Sequence, residues 1–222
     1  MAKTPAQRAA KHGDKAVPGP APLYPPVPAA VNPSAQGSPA AARSNGYLIV
    51  IAGVVASAFL FWYFHLLTLN QLTQLSNGQA MPDSMLFGFD TGYIQGLKSA
   101  MDSDALGQLQ YVHKTAGTLF PLVFAFSWLL LIGLNTAKRS LRWVLWAAPA
   151  LFAVVQLCAN VAVDSMLSHN PVDGGQVALA SMLVVSSWVL LLLSLLASGV
   201  ALWGSRRKQA QLKRTQLKTE NL

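Results

Sequence analysis

Apolar residues fall into four long, nearly unbroken runs, at about 47–67, 117–136, 143–163 and 177–204, with short polar segments between them. A bilayer core of about 30 Å takes roughly 20 helical residues, so each run is long enough to cross it. The pattern predicts an all-α protein, a four-helix transmembrane bundle over 47–204. Between the first two runs the spacing changes. Ile94, Leu97 and Met101, then Leu109 and Val112, recur at near-helical intervals, with Asp102 and Ser103 placed to cap a break. This predicts an outer cap over 68–116 of one or two short amphipathic helices. They would rest on headgroups or cover the mouth of the bundle, the second running on into span two.

Breakers set the turns. Asn77-Gly78 and the stretch Phe87 to Gly92 read as turns, the latter followed by a helix start. A link of about seven residues makes spans two and three an antiparallel hairpin. Pro121 is tolerable in a first turn and kinks a helix that begins earlier, while Pro149 is expected to bend span three. Span four, at about 28 residues, must tilt or project beyond the bilayer. In span one, Gly53 and Ser57 have the small-xxx-small spacing that permits close helix contact, within the bundle or in a dimer.

The first 46 residues have a different composition, rich in Pro and Ala and poor in large apolar side chains, and read as a disordered tail. Pro22 to Pro28 has polyproline character, a stiff tether or a ligand for an aromatic groove. The apolar region opens near residue 47 rather than after a short basic start, unlike a cleavable signal peptide. Residues 205–222 form a basic tail suited to anionic headgroups.

The chain is 53% hydrophobic and only 11% charged, against about 25% charged in a typical soluble domain, which is membrane composition. Its net charge of +8 does not point to nucleic acid, because fourteen of the sixteen basic residues fall in segments that four crossings place on one side. The other side carries Lys98 and Lys114 with six aspartates, so the positive-inside rule places both termini in the cytoplasm. The single cysteine, Cys158, excludes an intramolecular disulfide and paired-cysteine redox chemistry.

Candidate chemistry is sparse. Gln156, Asn160 and Asp164 recur every fourth residue along span three and form one polar stripe, a seam of interhelical hydrogen bonds or the wall of a polar cavity. No ionisable group lies at mid-depth in any span, which argues against a proton-coupled transporter. His65, His113, Asp164 and His169 all fall near the outer interface, where imidazoles and a carboxylate offer a metal site or proton transfer.

The segment Phe87 to Leu131, with its Gly92-Tyr93 helix opening and Phe120-Pro121 span start, resembles a group of small, uncharacterised bacterial four-span proteins. The resemblance covers about 81–160. It implies an aspartate where Gly117 stands and an acidic residue at Ala159 beside a retained Asn160, and it brings no activity with it.

Taken together, the sequence describes an integral protein of the bacterial cytoplasmic membrane, a non-enzymatic interaction or accessory protein with no cofactor. Its partners are the lipid bilayer and either another membrane protein or further copies of itself. A small oligomeric channel or transporter, and an outer-face metal-dependent enzyme, are the two alternatives.

Overall fold

The computed structural model describes residues 39–220, and every regular element among them is helical. The N-terminal segment before Pro39, including the polyproline stretch, lies outside the described residues. Helix α1 (Pro39–Phe61) continues through a π-helical stretch (Trp62–Thr68) into α2 (Leu69–Leu75). A 3₁₀ turn (Pro82–Ser84) and two short helices, α3 (Thr91–Ala100) and α4 (Ser103–Lys114), follow. The remaining spans are α5 (Ala116–Asn135), α6 (Arg139–Ser168) and α7 (Gly174–Glu220).

Four helical stretches are long and apolar enough to cross a membrane: Asn45–Leu75, Ser103–Asn135, Arg139–Ser168 and Gly174–Leu217. The chain is a four-helix membrane-spanning bundle. Its helices outrun the apolar runs because hydrophobicity ends at the headgroups, whereas a helix ends only where capping or a turn stops it. Residues 39–46 are helical and run on into span one. The spans two–three link shrinks to three residues, and α7 takes the basic tail into one helix of 47 residues, about 70 Å long.

Span two is the hub. Helix α5 packs against all three other spans, α6 and α7 share the largest interface, and span one is held mainly through α5. Gly53 permits that last contact, since a Cβ there would fall 2.1 Å from the Ser127 hydroxyl oxygen. Across the middle, Phe120, Phe124, Trp128 and Phe152 form an aromatic layer, with Phe124 stacked on Trp128 at 4.1 Å between centroids.

The cap covers the bundle mouth. Ile94, Leu97, Leu109 and Val112 turn inward and join Ala159, Val163, Met166, Ala180 and Val184 in the largest apolar cluster. Asp90 and Asp102 cap the two helices by accepting from the Tyr93 and Ala105 amides at 2.7 Å each. Gly88, at φ +85°, makes the turn that lets the Phe89 amide donate to the Ser181 hydroxyl of α7 at 3.0 Å. The amphipathic face packs on protein because α5 to α7 offer it apolar side chains, among them Ala116, Val163, Met166 and Val184.

Candidate functional site

The site grows from two breaks in helical hydrogen bonding. Thr115, at φ −107° and ψ −93°, separates α4 from α5, and the Thr118 hydroxyl donates to the His113 carbonyl left open there, at 2.8 Å. Pro121 lies inside α5 and has no N–H, which frees the carbonyl of Gly117 four residues earlier. The amide of Asn160 donates to that carbonyl at 2.8 Å, and Gln156 donates to the Asn160 side-chain oxygen at 3.0 Å. Gly117 makes room for this, because a Cβ there would already lie 3.0 Å from the Asn160 amide nitrogen. The polar stripe is thus, at Gln156 and Asn160, a repair of a proline defect.

A test follows. Asn160→Leu leaves the Gly117 carbonyl unpaired in an apolar setting and should cost about 1–3 kcal/mol in detergent unfolding. Adding Pro121→Ala restores a backbone donor and should recover most of that loss. If the double variant is no more stable than Asn160→Leu alone, the repair account is wrong.

The stripe ends in an ionisable cluster. His113, 2% exposed, faces Asp164 of α6 through Nδ1 at 2.6 Å and Asp83 of the 3₁₀ turn through Nε2 at 3.2 Å. Each of the two contacts needs a proton, and a neutral imidazole supplies one. Either an imidazolium lies between two carboxylates, or a neutral ring lies between a carboxylate and a carboxylic acid. Both arrangements carry one net negative charge. The Asp83 carbonyl also accepts from the Trp188 indole of α7 at 3.1 Å, so one turn of the cap is fastened to spans two, three and four.

The two carboxylates differ in access. Asp164 is 19% exposed and borders an outward groove of about 440 Å³ with Gln110, Lys114, Thr118 and Ser165, whereas the Asp83 side chain is 1% exposed. Burial alone would raise the Asp83 carboxyl. The His113 imidazole, by charge and hydrogen bond, and His65 by charge, instead hold it below its ordinary value of 3.8. A group with a lowered folded value stabilises the fold fully above its unfolded value, and that contribution drains away as pH falls below about 4 towards the folded value. Melting temperatures between pH 7 and 3 should therefore fall steeply at the acid end. In Asp83→Asn they should start lower and change less.

His65 lies at the centre of the π-helical stretch, enclosed by Phe61, Phe64, Phe120 and Trp188 with centroids 4.6–5.6 Å away. Its Nδ1 is buried and has no hydrogen-bond partner among the described residues. His169 stands on the surface, its Nδ1 against the Ser165 carbonyl at 2.7 Å and its own carbonyl accepting from Lys98. The structure thus gathers His65, His113 and Asp164 at the cap end of the bundle, leaves His169 apart and adds Asp83. Among the described residues no group of three or more His, Cys, Asp or Glu is arranged to hold a metal ion. The signal for Asp83 was an acid inside the stretch Met81 to Phe89, where Ser84 is the only other polar side chain.

Fold and site together define a helical membrane protein whose cap is pinned by an Asp–His–Asp bridge with His113 and Asp83 buried. Comparison with protein-family models, curated proteins and solved structures returns no match.

Proposed function

We propose that this chain works in the bacterial cytoplasmic membrane, both termini inside, as a non-enzymatic interaction or accessory protein. One observation supports this reading above others. Both nitrogens of the most buried histidine are spent on carboxylates from different elements, which suits a structural clamp and leaves His113 no lone pair for a substrate proton or a metal. Transport through a single copy is disfavoured by the aromatic layer of Phe120, Phe124, Trp128 and Phe152 packed next to Gln156 and Asn160. The orientation rests on charge, since most of the described basic residues lie in the α5–α6 link, the first turn of α6 and the C-terminal part of α7.

The test is purification from native membranes in mild detergent, with mass determination and reconstitution into liposomes. A fixed stoichiometric complex with a membrane protein or with further copies, lost when His113→Leu loosens the cap, supports the proposal. A monomer that carries no partner, or a chain that moves solute across liposomes, overturns it. Labelling of Gln74→Cys and Gln209→Cys in a Cys158→Ala background should show opposite sides, and reagent reaching both from one side would refute the topology.

A further inference from the structure

At the basic end of the bundle a groove of about 870 Å³ opens between the α5–α6 link and α7. Its features are independent of the cap. Leu134, Leu141 and Val200 give it an apolar wall, and Lys138, Arg142 and Lys208 give it a cationic rim. No Asp or Glu lines it, and among the described residues none of these three cations forms a salt bridge. Arg142 lies over the Trp146 ring at 5.3 Å, with its Nε buried and without a hydrogen-bond partner.

Two further observations point to an anion. Thr136 lines the groove and is 7% exposed, yet its hydroxyl has no partner, which is costly for a buried polar group. Helix α6 starts at the same place with no side-chain cap on its first amides, so its positive end faces the rim uncompensated. A phosphate in the groove would sit among Thr136, the Arg142 guanidinium and the open start of α6, which together offer a hydroxyl, a cation and a positive helix terminus.

We propose that this groove binds the phosphate group of an anionic membrane phospholipid, with an acyl chain along Leu134, Leu141 and Val200. The apolar wall favours a lipid phosphate over the free ion. Zwitterionic lipids are disfavoured because no carboxylate is present to meet a choline or ethanolamine cation. Arg142 and the two lysines supply charge, and Thr136 fixes where the phosphate sits.

Native mass spectrometry of the full chain, titrated with phosphatidylglycerol, phosphatidylcholine or inorganic phosphate, tests this. One phosphatidylglycerol per chain should bind, weakened about fivefold or more by Thr136→Val and further by Lys138→Gln/Lys208→Gln. Lys213→Gln/Arg214→Gln, on the same basic helix but outside the groove, should bind like the parent. Equal loss in both lysine/arginine pairs would mean diffuse attraction and overturn the site. Equal phosphatidylcholine binding, or inorganic phosphate competing at the lipid's own concentration, would overturn the lipid assignment. Thr136→Val is nearly isosteric, so retained melting temperature with unchanged affinity also counts against it.

Discussion

His113→Leu should cost about 3–5 kcal/mol of unfolding free energy, the largest loss expected from any single substitution in the cap. The mechanism is removal of the donor between two carboxylates. Asp83 would remain 2% exposed with no proton facing it, and the negative charges of Asp83 and Asp164 would oppose one another across the vacated ring. Pairing the change with Asp83→Asn makes that group neutral, so the double variant should be more stable than His113→Leu alone. The non-additivity, read from denaturant unfolding in detergent, measures the coupling. A loss below about 1 kcal/mol in the single variant would show that the bridge does not hold the cap.

Gly53→Leu should destabilise by about 1–3 kcal/mol or more, by prising span one from span two. The Ser127 side chain has nowhere to go: its hydroxyl is 2.1 Å from an added Cβ, its own Cβ is 3.0 Å away, and it already donates to the Val123 carbonyl at 2.7 Å. Because span one is held mainly through α5, little else resists separation. Ser127→Gly should recover part of the loss by making room, and Gly53→Ala should cost less than leucine. Wild-type stability in Gly53→Leu would place the span-one interface elsewhere. The contact also resolves the small-xxx-small spacing, whose close approach is made within the chain.

The outer site was only partly legible in the sequence. The stripe of Gln156, Asn160 and Asp164 followed from helical periodicity, and the placing of the histidines at one end of the bundle followed from counting crossings. Periodicity gives a face, however, not the identity of what it meets. Asn160 meets a carbonyl freed by Pro121, on another helix and 43 positions away from Gly117 in sequence, while Asp164 meets His113 across 51 positions. Asp83 escaped notice because a lone acid in a loop is ordinarily solvated. Only packing against Trp188 and His113 shows that this one is not.

The sequence by itself determined four spans, their polarity of charge and an amphipathic cap. These depend on local quantities: run length against bilayer thickness, helical spacing, and the residues able to cap or break a helix. Tertiary structure alone decided that the cap closes the bundle instead of lying on headgroups, that half the polar stripe repairs a proline, and that a histidine is clamped between two aspartates. Those outcomes depend on which buried donors and acceptors come within about 3 Å of one another. That is settled by how helices distant in sequence pack, and no local pattern encodes it.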